Sequence, residues 1–141
     1  MRDLRKRTFQ FALDSIRFCG TLPKNYEFSI IKGQLMRAST SVGANYRSSC
    51  RARSKVDFIS KVSIVEEEAD ECMYWLEMLR ELGIKSEECA RLRIEANEIV
   101  SMMVASKKTA RAQPETPRTR AQVLKTRSQY LDSGLEQNAI R

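Results

Sequence analysis

The residues with the most chemistry to offer are cations. Arg37, Thr40, Ala44, Arg47 and Arg51 recur at steps of three and four, the spacing that sets side chains along one side of a helix. Arg53 and Lys55 extend this cluster, and Lys107, Lys108 and Arg111 form a second one. A guanidinium held on a rigid helix can grip a phosphate with two parallel N–H donors. Arg37, Arg47, Arg51, Arg53, Lys55, Lys107, Lys108 and Arg111 are therefore the candidate nucleic-acid contacts. The competing reading is a solvated face, or ion pairs with an acidic helix of a neighbouring subunit.

Opposite charge is concentrated in Glu66-Glu67-Glu68-Ala69-Asp70-Glu71. Glu66 and Asp70 lie one helical turn apart, but hard-cation sites draw their oxygens from loops or from several converging helices. A charged helix surface with some intersubunit pairs is the preferred reading. The chain has no histidine. That removes Ser-His-Asp and Cys-His nucleophile sites, the Glu-x-x-His ligand set of di-iron bundles, and mixed Cys/His zinc sites. Cys19, Cys50, Cys72 and Cys89 form no Cys-x-x-Cys pair. Cys19, Cys72 and Cys89 fall on apolar stripes, where a reduced cysteine acts as a small hydrophobe. No catalytic residue, metal or cofactor is expected.

The composition describes the body that carries these groups. A chain of 141 residues is one domain's worth; 42% hydrophobic and 30% charged residues suffice for one core and a polar surface. Five glycines and three prolines are too few for a sandwich or barrel. The net charge of +7 is unevenly spread. Residues 1–55 carry 12 basic and 3 acidic side chains, residues 56–100 carry 5 and 12, and residues 101–141 carry 8 and 3. Such segregation points to a polyanionic partner. Uncharged runs such as Ala38 to Tyr46 and Ile99 to Ser106 are far too short to span a membrane. Met1-Arg2-Asp3-Leu4-Arg5-Lys6-Arg7 has no apolar core behind it, so no secretory signal is read and a cytoplasmic protein is expected.

The hydrophobic periodicity predicts four helices. The first runs from about Asp3 to Gly20 with two apolar stripes: Phe9, Ala12, Leu13, Ile16 and Cys19, and then Leu4, Phe11, Ser15, Phe18 and Leu22. Lys6, Arg7, Gln10, Asp14 and Arg17 fill its polar face. One apolar face serves a bundle; two imply a second set of neighbours, in another subunit. The break Leu22-Pro23-Lys24-Asn25 precedes a second helix reaching about Ala52, with Phe28, Ile31, Leu35, Ala38, Val42, Tyr46 and Ser49 inward. Its small-residue centre, Ala38 to Ala44, suits close helix packing around Gly43.

Ser54, with Asp57 in the capping-box position, opens a third helix. Phe58, Val62, Val65, Ala69, Cys72, Leu76 and Leu79 form an unbroken heptad seam there, which Gly83 ends. Ser86 opens the fourth, with Cys89, Leu92, Ala96, Ile99, Met103, Ser106 and Ala110 inward. Trp75 reads as an interface anchor. Short connections make neighbours antiparallel, giving an all-α, up-down-up-down four-helix bundle over residues 1–111. Residues 112–141, which include two prolines and little periodicity, read as a flexible basic tail, with room for a short helix near Gln122 to Leu131.

These residues also carry a resemblance. Ser41-Val42-Gly43-Ala44-Asn45-Tyr46-Arg47, Arg51-Ala52-Arg53-Ser54-Lys55, Asp57-Phe58, Lys61, Glu68-Ala69-Asp70-Glu71 and Tyr74-Trp75-Leu76-Glu77 together resemble the bacterial four-helix bundle family of 23S rRNA intervening-sequence proteins. The likeness covers about residues 2–111. It implies a bundle that assembles into a homopentameric ring. By similarity to the accessory protein of diversity-generating retroelements, it also implies association with RNA or another nucleic acid. It offers no catalytic residues to carry over.

Overall fold

A computed structural model describes residues 3–114 together with Lys125 and Ser128. Four helices account for nearly all of this: α1 Leu4–Cys19, α2 Tyr26–Ser49, α3 Lys55–Glu81 and α4 Glu87–Ala112. The expected tail and the short helix over Gln122 to Leu131 lie, but for those two residues and 112–114, outside the described residues.

Each helix begins where a short polar side chain can replace a missing backbone partner. Asp3 accepts from the Arg5 N–H at 3.0 Å, Asn25 from Phe28 at 2.9 Å, Ser54 from Asp57 at 3.0 Å and Ser86 from Cys89 at 3.2 Å. The return bond expected from Asp57 lands one residue early: its Oδ2 accepts from the Arg53 N–H at 3.2 Å. The end of α3 is fixed by Gly83, whose φ of 103° suits a residue without a Cβ. Around it the Ile84 N–H bonds to Leu79 O and the Gly83 N–H to Arg80 O, both at 3.0 Å.

The helices pack in a ring, each against the neighbours before and after it, with no direct packing across the diagonals among the described residues. Val62, Val65, Ala69, Cys72, Leu76 and Leu79 on α3 are wholly buried, and Phe58 packs half-buried against them. They face Leu35, Ala38 and Val42 of α2 and Leu92, Ala96, Ile99 and Met103 of α4 within one core. On α1 the stripe with Phe11, Ser15, Phe18 and Leu22 supplies the core, joined by Ala12 and Cys19. Phe9 and Ile16 from the other stripe stay exposed, at 66% and 41%.

Polar residues that fall in the core are satisfied by their own helix. Thr8 donates to Leu4 O, Ser15 to Phe11 O and Ser39 to Met36 O. Burial pushes the Cys19 thiol up to about 11, and raises Cys72 and Cys89 as well, so these three stay protonated core groups at neutral pH. At Gly43 α1 and α2 approach closely: a Cβ there would sit 3.3 Å from the Thr8 carbonyl oxygen.

The α1–α4 seam is thinner and ionic. Arg7 meets Glu95 with two donors, at 2.5 and 3.0 Å, and also reaches Glu98. Arg91 closes on Asp14 at 2.9 Å. The polar face read on the first helix is thus half seam and half solvent surface.

Two stability changes follow. Leu76→Ala removes a fully buried side chain from the central seam and should cost about 2–5 kcal/mol in urea unfolding. Gly43→Val forces α1 and α2 apart and should cost about 1–3 kcal/mol, against little for Gly33→Val's steric term, since nothing lies within 4 Å of a Cβ at Gly33. Equal steric losses at the two glycines would contradict the close approach.

Candidate nucleic-acid interface

The connectivity decides which cations meet. The start of α1, the end of α2, the start of α3 and the end of α4 share one end of the bundle. Lys55 ties two of these together, its Nζ donating to Arg111 O at 3.3 Å and Gln113 O at 2.6 Å. It therefore caps the carbonyl end of α4, where a cation is favoured. The Gly43–Thr8 approach holds the other two side by side.

The candidate cations then divide by partner. Arg37 sits midway along α2, away from this end, and is engaged by α3 of the same chain. Its Nη1 lies 3.2 Å from Glu68 and its Nη2 2.5 Å from both Glu71 oxygens. The Arg37 hydrogen bond, with a further one from Trp75, holds the Glu71 carboxyl below the usual carboxylate range. Glu68 moves the other way, because its burial outweighs the same guanidinium. The acidic partner expected from a neighbouring subunit is thus supplied within the chain, and Arg37 works as a cross-brace.

Lys107 is likewise taken. Its ammonium lies 2.5 Å from Glu66 Oε2, with only 16% of the side chain exposed. That oxygen is shielded from solvent and accepts no well-directed hydrogen bond, so the ammonium is its electrostatic compensation. Glu66 is thereby spoken for, and does not pair with Asp70 as a cation site. Trp75, read as an interface anchor, is half-buried against the core; its neighbour Tyr74 is the exposed aromatic, at 54%.

Among the described residues, four arginine side chains make no hydrogen bond or ion pair: Arg5, Arg47, Arg51 and Arg111. Arg7, Arg17, Arg37, Arg80, Arg91 and Arg93 each reach a carboxylate, and Arg53 is engaged too. All four partnerless arginines lie at the same end of the bundle, with Lys6 and Lys108 exposed beside them. The charge segregation along the sequence becomes a segregation along the bundle axis.

Within this end is a cleft of about 580 Å³ between α2 and α3. Arg47 and Arg51 stand on one wall and Lys61 on the other, with Ala44 and Ser48 leaving room between. Asp57 holds Lys61 at 3.0 Å, and that hydrogen bond, with the one from the Arg53 backbone, depresses the Asp57 carboxyl. Lys61 and Arg5 are contributors that the helical-stripe reading left out. The Asp57–Lys61 spacing, one helical turn, was the available signal for the first.

A cavity of about 490 Å³ at the opposite end is apolar on one side, with Met73, Leu76, Ile84 and Ile94. Its arginines Arg80 and Arg93 are matched by Glu81 and Glu77, which leaves Lys85 as the lining cation without a carboxylate partner among the described residues.

The Arg37 brace carries a pH dependence. A depressed Glu71 stabilises the fold above its unfolded-state value, near 4.3, and that contribution is lost as pH falls through the lower folded-state value. In Arg37→Ala the loss of urea-midpoint stability between pH 7 and pH 3 should be smaller than in the wild type. An identical acid limb would show that the brace does not form in solution.

The sequence profile of the 23S rRNA-intervening sequence protein family matches residues 2–105. Among solved structures, the chain resembles a protein of unknown function from the S23 ribosomal protein family of Bacteroides thetaiotaomicron, with a TM-score of 0.69 and 28% identity. The match covers 75% of this chain and 99% of that one. No match is found among curated proteins. With four capped helices in the expected order and the family profile spanning them, this chain belongs to the 23S rRNA-intervening sequence protein family.

Proposed function

We propose that this protein is a non-enzymatic, homo-oligomeric bundle of the cytoplasm that binds RNA through its basic end. The observation that carries the reading is the gathering of Arg5, Arg47, Arg51 and Arg111, all without acidic partners among the described residues, at one end. Elsewhere arginines are matched to carboxylates across or along helices. Leaving positive charge unmatched in one place is unfavourable for the isolated fold and favourable for a polyanion.

Assembly is argued from apolar surface. Phe9 and Ile16 are exposed on α1, while Tyr26 and Ile30 are exposed on α2 and Tyr74 and Leu82 towards the end of α3. Two distinct apolar surfaces on one protomer suit a heterologous contact, which closes into a ring. The homopentamer implied by the family resemblance is such a ring, and it would repeat the basic end around its axis. A second reading is a structural adaptor whose charge asymmetry serves self-assembly; it draws on Arg37 and Lys107 only in that their intrachain pairing with α3 takes both away from a nucleic-acid surface.

Salt dependence separates the two. RNA binding by fluorescence anisotropy should weaken steeply with salt. Replacing Arg47, Arg51 and Arg111 by alanine should lower the log–log slope by about 0.7–0.9 for each phosphate that is no longer neutralised, with the oligomer intact. An unchanged slope would move the site elsewhere, and loss of assembly in this variant would support the adaptor. Light scattering should give about five protomer masses for the wild type. A stable monomer at micromolar concentration would rule out the ring.

A further inference from the structure

The α2–α3 cleft stands out at the basic end because cations line it from both helices and from the turn between them. Arg47 lies in the last turn of α2 and Arg51 in the turn just beyond its C-cap Cys50, and both line the cleft. Lys61 faces the same space from α3, and Arg53 lines it at the connecting turn. With Arg53 engaged, Arg47, Arg51 and Lys61 stand against one lining carboxylate, Asp57, a surplus of two positive charges. Asp57 is itself fixed between Lys61 Nζ at 3.0 Å and the Arg53 N–H at 3.2 Å. It thus sets the position of one wall and of the turn. The guanidinium groups of Arg47 and Arg51 are left to a ligand.

We infer that this cleft is a phosphomonoester site that takes the phosphorylated end of an RNA strand. The inference rests on the RNA-binding reading above and specifies what part of the RNA the cleft holds. Three features favour a terminal phosphate over a backbone diester. A monoester carries about −1.5 to −2 charges at pH 7 and three acceptor oxygens. A diester carries one charge and offers two free oxygens. Arg47 at the end of α2, Arg51 in the turn after it and the Lys61 ammonium on α3 line the cleft together and can bond three oxygens where a diester supplies fewer. A volume of about 580 Å³ lies within the range of pockets that enclose a small ligand, and admits the terminal nucleotide behind its phosphate. The small side chains of Ala44 and Ser48 leave that space open. Several cations converging on one cleft also focus their field on a dianion more than a single exposed side chain would.

The test compares short single-stranded RNAs of one sequence bearing a 5′-phosphate, a 3′-phosphate or hydroxyls at both ends. Binding to the full chain is measured by anisotropy, and adenosine monophosphate and adenosine serve as competitors. The expected result is at least tenfold tighter binding of one phosphorylated end over the hydroxyl form. Adenosine monophosphate should compete and adenosine should not. Arg47→Ala/Arg51→Ala should abolish the preference while leaving the helical circular dichroism unchanged, and Arg111→Ala should retain it. Equal binding of all three RNAs, with a steep salt slope, would overturn the cleft assignment and leave RNA binding standing. No RNA binding together with competition-free, undetectable binding of the monophosphate by calorimetry would overturn both. A preference that survives in Arg47→Ala/Arg51→Ala would place the phosphate site outside this cleft.

Discussion

The apolar seam of α3 is the constraint on which the rest of the molecule depends. Val62, Val65, Ala69, Cys72, Leu76 and Leu79 are fully buried over nearly the whole helix. The seam binds α2 on one flank and α4 on the other, and these are the two most extensive packings in the fold. α1 joins by its stripe through Phe11, Ser15 and Phe18 and by the close approach at Gly43. Its border with α4 is left to Arg7, Asp14 and their partners. A seam buried along its length holds α2 and α4 against α3, and the short connections make each helix antiparallel to the next.

From that packing the charge distribution follows. Antiparallel order brings Arg5, the Arg47–Lys61 turn and Lys108–Arg111 to one end, although they are scattered through the sequence. Inside the long seams, cations are spent on bracing: Arg37 onto Glu68 and Glu71, Lys107 onto Glu66, Arg7 onto Glu95 and Glu98. At the end of the bundle the opposing carboxylates give out. The carboxylates of α3 and α4 that neutralise the flanks therefore leave the end basic, and the end is where a phosphate ligand is proposed.

The helices were readable in the sequence because burial on a regular helix leaves a three-four pattern. The α3 seam and the Asn25, Ser54 and Ser86 caps all fall where the periodicity puts them. The stripe with Phe11 and Phe18 could not be ranked above the one with Phe9 and Ile16, since both are apolar and only packing chooses between them. The cation stripe was less legible. Arg37, Arg47 and Arg51 share a face by spacing, but a helical wheel carries no information about what the facing helix presents at each level. Opposite Arg37 it presents two glutamates; along the cleft with Arg47 and Arg51 it presents Lys61 held by Asp57. Lys55 read as a ligand contact because nothing local shows that it reaches across to the last carbonyls of α4.

On the proposed reading one end of this bundle, and no other described surface, meets RNA. Hydrogen–deuterium exchange of the full chain, with and without a structured RNA at low salt, tests it directly. The account predicts slowed exchange confined to the turn between α2 and α3, the last turn of α4 and the first turn of α1, with the turns at Gly20–Asn25 and Gly83–Ser86 unaffected. Slowed exchange at those opposite turns, or no change anywhere under conditions where RNA is bound, would contradict it.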